Sequence, residues 1–127
     1  MKVLALDYGS ARTGVAVSDP TGTVARPLCV VERAAGEAGL ARLRELVREE
    51  GAERVVVGLP LTLRGARGDQ AQETERFVEG LRAIVDVPVE TFDERFTTTL
   101  AGPGEGEDAR AAAYLLASYL EWSSRRS

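Results

Sequence analysis

Three places in this chain put carboxylates where they could act together: Asp7 at the end of an apolar run, Asp93 and Glu94 at the end of another, and Asp108 at the head of an amphipathic stretch. Acids held in this way can share two divalent cations, one to activate a water and one to stabilise a departing oxygen, which is sufficient to hydrolyse a phosphodiester. The chain contains no histidine. That removes the usual general base, the usual zinc ligand and every Ser/His or Cys/His nucleophilic pair. Hydrolytic chemistry would therefore rest on carboxylates holding hard cations, Mg²⁺ or Mn²⁺, through oxygen.

Each acid has an ordinary structural explanation as well. By strand alternation Asp7 shares a face with Val3 and Ala5, so its side chain points where core residues point and needs a partner. The alternative is an Asx turn over the amide of Gly9. Val89, Thr91 and Asp93 would lie on one face of their strand and Glu90, Phe92 and Glu94 on the other, so at most one of Asp93 and Glu94 can join Asp7, and spacing leaves both open. Either could instead be a solvated strand end paired with Arg95, an exposed ion pair contributing about 0–1 kcal/mol. Asp108 begins the last helical pattern in line with Ala112, Leu115 and Tyr119. A helix N-terminus alone would also favour an acid there, by about 0.3–2 kcal/mol.

Arg12, Arg64, Arg67 and Arg95 fall in loops or at strand ends near these acids, where guanidinium forks and the loop amides around Gly65 and Gly68 could hold a phosphate backbone. The overall balance is not that of a bulk-electrostatic nucleic-acid binder, with 20 acidic against 16 basic residues and a net charge of -4. All the basic residues but Lys2 are arginine, however, the residue suited to bidentate phosphate contacts.

The elements that must position these groups follow from periodicity. Val3–Leu6 and Gly14–Val17 read as two strands of an opening hairpin, and Pro27–Val31 as a third alongside. Leu40, Leu43, Leu46 and Val47 recur at helical spacing, with Gly51 as the cap. Val55–Val57 is an uninterrupted β-branched run of the kind found in parallel strands covered on both faces. Ala71, Phe77, Val78, Leu81 and Ile84 mark a second helix, Val87 to Asp93 a last strand, and Asp108 to Trp122 a last helix. The order of three strands, helix, strand, helix, strand, helix predicts an α/β domain whose five-stranded sheet starts antiparallel and continues through parallel crossovers, with helices on both faces.

The length of 127 residues suits a single domain spanning 1–127, able to bury a core without disulfides. The lone Cys29 lies in an apolar stretch and reads as a small core residue. No apolar run approaches the roughly 20 residues of a membrane span, and Met1–Asp7 reaches an acid too soon for a signal peptide. The expectation is a cytoplasmic protein that does not touch membranes. The sequence leaves the oligomeric state open.

The stretch Leu4-Ala5-Leu6-Asp7-Tyr8-Gly9-Ser10-Ala11-Arg12-Thr13-Gly14-Val15-Ala16-Val17-Ser18-Asp19 closely resembles the opening motif of the YqgF family, also called RuvX. Three further blocks agree in order: Val57-Gly58-Leu59-Pro60-Leu61 with Gly65, then Asp93-Glu94-Arg95-Phe96-Thr97-Thr98, then Asp108-Ala109-Arg110-Ala111-Ala112-Ala113 with Ser118-Tyr119-Leu120. The resemblance implies a ribonuclease H-like fold and a metal-dependent nuclease acting on the precursor of 16S ribosomal RNA, or on branched or single-stranded DNA. Its acidic site would be Asp7, Asp93 or Glu94, and Asp108. The chain departs from the family pattern at Thr62, where asparagine is frequent, and over 99–107, which stands in place of a longer helical segment and a basic stretch. Two other readings compete with the nuclease: a non-catalytic RNA-binding or ribosome-assembly module of the same fold, and an actin-like phosphotransferase binding nucleotide at the Asp7–Gly14 hairpin, for which a second closing domain is expected.

Overall fold

The computed structural model of the protein describes residues 1–62, 64–97 and 109–126. The strands are β1 (Val3–Asp7), β2 (Arg12–Ser18), β3 (Ala25–Glu32), β4 (Arg54–Leu59) and β5 (Val89–Asp93), and the helices are α1 (Glu37–Glu50), α2 (Asp69–Arg82) and α3 (Ala109–Arg125). They form one sheet in the order β3-β2-β1-β4-β5. β1 pairs antiparallel with β2, and β2 with β3, whereas β1 with β4 and β4 with β5 are parallel. This is the mixed sheet expected from the sequence.

Alternation along the strands sorts the core into two layers. Leu4, Leu6, Val15, Val17, Val55, Val57 and Val89 point to one face, where Leu43, Leu46 and Val47 of α1 and Phe77, Val78 and Leu81 of α2 cover them. Val3, Ala5, Ala16, Val56 and Phe92 point to the other, under Ala112, Leu115, Leu116 and Tyr119 of α3. Alanines on both sides of this second interface let α3 lie close across the sheet. Each fully buried valine or leucine stabilises the fold by roughly 1.5–3 kcal/mol, and Leu4–Leu6, Val15–Val17 and Val55–Val57 at the sheet's centre are all fully buried.

Boundaries differ from the sequence reading because hydrogen bonding, not the apolar pattern, sets where elements begin and end. α1 starts three residues before Leu40 and ends at Gly51, which adopts the left-handed conformation (φ 65°) that its missing Cβ permits. α2 ends at Arg82, so Ile84 packs against the core from just beyond the helix. β5 begins at Val89 rather than Val87. Cys29 is half-buried on the edge strand β3, packed against the first layer.

Candidate active site

The parallel strands β1, β4 and β5 end side by side at Asp7, Leu59 and Asp93, and the carboxyl ends of parallel strands are where open α/β sheets receive ligands. Asp7 is opposite Gly14 of β2 and continues the face of Val3 and Ala5, the face that α3 covers. The Gly9 amide donates to Thr13 Oγ1 at 3.4 Å. Burial pushes the Asp7 carboxyl above its ordinary pKa, against the opposing effect of a hydrogen bond with Glu94.

Glu94 follows Phe92 on the same side of β5 and opens a single 3₁₀ turn, Glu94–Phe96. It therefore reaches Asp7. Its carboxyl is pushed up to about 7, first by burial and then by the charge of Asp7 and the hydrogen bond between the two. Burial and the neighbouring Asp7 charge thus favour the protonated form of Glu94, and the hydrogen bond favours the charged form of Asp7. Room for the side chain comes from Gly58 on β4, where a Cβ would stand 2.6 Å from Glu94 Oε1 and 2.9 Å from its Cγ. The sequence reading took Gly58 as part of a motif but did not connect it with Glu94. A glycine inside a β-branched run is itself a signal of close approach.

Asp93 faces the opposite side of the strand and is engaged by Arg95. Its Oδ1 accepts from the Arg95 backbone amide at 2.9 Å, and its two oxygens accept from Arg95 Nε and Nη2 at 2.5–3.0 Å. That fork holds the Asp93 carboxyl below its ordinary pKa. The guanidinium of Arg95 lies over Gly65, whose φ of 82° makes the tight turn of the loop after β4, with Nη1 3.3 Å from where a Cβ would be. Arg95 thus joins the β4 and β5 ends of the sheet. Arg64 is exposed in the same loop, and Arg67 is ion-paired with Glu75 at 2.7 Å. Arg12 is exposed at the start of β2, opposite Glu32.

The structure therefore brings Asp7 and Glu94 together, and gives Asp93 to Arg95. Asp108 and the segment 99–107 lie outside the described residues; Ala109, the first residue of α3, is buried against the sheet. Among the described residues no three potential metal-ligating side chains gather at one point. The sequence reading also missed Tyr8, whose hydroxyl donates to Glu73 Oε2 of α2 at 2.9 Å while its ring stacks on Phe77 at 4.4 Å between centroids. This ties the residue after Asp7 to α2.

Comparison with known proteins agrees with this architecture. A Chloroflexus aggregans protein, provisionally named a pre-16S rRNA nuclease, is 48% identical over 99 residues, 78% of this chain and 70% of its own length. A Moorella thermoacetica protein with the same provisional name is 41% identical over 133 residues, 95% of each chain. The structure of T. thermophilus RuvC in complex with Holliday junction substrate superposes with a TM-score of 0.62, covering 98% of this chain and 97% of that one at 20% identity, a likeness of fold. The family model of the Holliday junction resolvase RuvX matches residues 1–122, and the chain belongs to this family.

Proposed function

We propose that the protein is a divalent-metal-dependent nuclease acting in the cytoplasm on RNA or structured nucleic acid, with the precursor of 16S ribosomal RNA as its substrate. The observation that carries this reading is the contact between Asp7 and Glu94 at the carboxyl ends of the parallel strands. Two half-buried acids side by side repel unless a proton or a cation lies between them. A pair of oxygen donors with no nitrogen or sulfur beside it suits Mg²⁺ or Mn²⁺, so the residues present fit such an ion. Asp7 and Glu94 would hold it, with Asp108 as the third acid proposed from the sequence. When bound, the ion would supply an activated water and stabilise negative charge on the phosphate.

The chain's own groups do the rest. To hold such an ion Asp7 and Glu94 would both have to be ionised, because a carboxyl that keeps its proton is a poor ligand. Arg95, braced by Asp93 and the Gly65 turn, presents a guanidinium at the β4 and β5 ends of the sheet to orient a phosphate, with Arg64, Arg12 and Arg67 as further backbone contacts. Such contacts fix position without reading sequence.

The test is cleavage of labelled structured RNA, single-stranded DNA and a four-way junction by the wild type, Asp7→Asn and Glu94→Gln, in Mg²⁺, Mn²⁺ and EDTA. Metal-dependent cleavage lost in both variants is expected, and the most rapidly cut substrate identifies the preference. Binding without cleavage by the wild type in either metal would overturn the nuclease reading in favour of a ribosome-assembly module.

A further inference from the structure

Beside the acids lies a cluster of aromatic rings that packing alone does not explain. Phe92 is buried, and three rings meet its edges: Phe96 at 6.1 Å, Tyr119 at 5.6 Å and Trp122 at 5.5 Å between centroids. Tyr119 belongs to the core. Phe96 and Trp122 do not, for they are 59% and 39% exposed. They line an open cleft of about 390 Å³ together with Ser118, Glu121 and Arg125. Two large exposed rings set on a rigid base at one cleft are a surface built to be covered.

Chemistry at the rim indicates what covers it. Arg126 lies 4.9 Å above the Trp122 ring, and Arg125 is paired with Glu121 at 2.6 Å in a bridge whose partners are 76% and 65% exposed. An ion pair this exposed is worth little and exchanges readily for a phosphate. Exposed aromatic rings with arginines beside or over them are the pattern that stacks bases while holding the backbone. Phe96 also closes the 3₁₀ turn that Glu94 opens, so their backbone positions are separated by only about 4 Å of rise, and the ring packs on Phe92, which lies on the same side of β5 as Glu94. A strand whose phosphate reaches Glu94 would thus carry a neighbouring base to Phe96.

We infer that Phe96 and Trp122, with Arg125 and Arg126, form a stacking subsite for an unpaired nucleobase flanking the scissile phosphate. This deepens the nuclease reading and rests on it. The subsite selects single-stranded or splayed nucleotides over paired ones, because only an unstacked base offers its faces to the rings.

Trp122 is the chain's single tryptophan and reports on the subsite directly. The experiment titrates the full-length protein in EDTA with a short single-stranded oligonucleotide, with one of equal length carrying abasic sugars throughout, and with a blunt duplex, following Trp122 emission. Wild type, Phe96→Leu and Phe96→Ala are compared. Expected are quenching by the base-bearing single strand alone and a dissociation constant weaker by about 5- to 100-fold in both variants, with circular dichroism unchanged. Phe96→Leu retains apolar bulk without the ring, so its weakening reports stacking rather than folding. Equal quenching by the abasic strand, equal affinity in Phe96→Leu, no quenching at all, or a wild-type dimer that Phe96→Leu dissociates would each overturn the inference. Since EDTA removes turnover, cleavage without quenching sinks only the subsite, and base-dependent quenching without cleavage sinks only the nuclease.

Discussion

Glu94 lies across Gly58, and the two residues are too close for any side chain to stand between them: a Cβ on Gly58 would meet Oε1 at 2.6 Å and Cγ at 2.9 Å. Gly58 is buried in β4 and paired with Phe92 of β5, so in Gly58→Ala the flexible Glu94 side chain, not the backbone, must give way and swing away from Asp7. Its far end is flexible, which makes the displacement cheap for the fold and expensive for the site. Misplacing a catalytic group by about 1 Å can cost around 100-fold in rate. Gly58→Ala is expected to lower metal-dependent cleavage by roughly 10- to 100-fold while its thermal midpoint stays near that of the wild type. Undiminished cleavage would show that Glu94 need not hold this position.

The contact between Asp7 and Glu94 also sets a pH dependence. Glu94 has an ordinary pKa of 4.5 and is pushed up to about 7; a carboxyl whose folded pKa is raised binds more protons folded than unfolded in that window. Stability of the metal-free protein must therefore fall as pH rises from about 4.5 to about 7, and stay low above it. Glu94→Gln keeps the shape, and its amide can donate to Asp7 as the protonated acid does. At pH 8 in EDTA the variant should melt higher than the wild type, and at pH 4 the two should converge. Saturating Mg²⁺ should raise the wild-type midpoint at pH 8 but not that of Asp7→Asn. Equal melting of wild type and Glu94→Gln at both pH values would mean that the two acids do not repel.

Asp93 reaches the site only through Arg95. Asparagine at 93 preserves size but loses the charged fork that holds Nε and Nη2. If the carboxylate acts by bracing the guanidinium, Asp93→Asn and Arg95→Lys should each slow cleavage by about tenfold, and the double variant should be little worse than either, since coupled groups are not additive. Mg²⁺ affinity, measured by calorimetry, should be unchanged in Asp93→Asn. Loss of Mg²⁺ binding there would make Asp93 a ligand.

Much of this geometry was legible in the residues, and the illegible part has a definite cause. Period-two alternation put Asp7 on the face of Val3 and Ala5, where it is, and the β-branched run at Val55–Val57 gave a strand paired in parallel on both sides. The choice between Asp93 and Glu94 was not available, because alternation separates the two without saying which face of β5 turns toward Asp7. That follows from Phe92 packing under α3, a tertiary fact. Pairing with Arg95 was on offer for either acid; that it falls to Asp93 depends on a 3₁₀ turn of three residues, too short for any periodicity to announce. Nothing in the sequence pairs Phe96 with Trp122, because one belongs to a turn and the other to the end of a helical stripe; Phe92 of the sheet unites them.

Tyr8 offers a last prediction, at the junction of stability and site. Its hydroxyl is pushed up to about 12, first by burial and then by its bond to Glu73, so it stays a donor throughout the working pH range and its contribution does not titrate there. Tyr8→Phe removes one hydrogen bond and retains the ring on Phe77. Urea unfolding should report a loss of about 1 kcal/mol with an unchanged slope. Tyr8→Ala removes the ring as well and should cost roughly 2–3 kcal/mol, less than a fully buried aromatic because Tyr8 is half-buried. Since Tyr8 adjoins Asp7 but points to the α2 side, Mg²⁺ affinity should survive Tyr8→Phe. If that variant lost Mg²⁺ binding while keeping its stability, the Tyr8–Glu73 bond would be holding Asp7 in place, and the two faces of the sheet would be coupled through a single residue of chain.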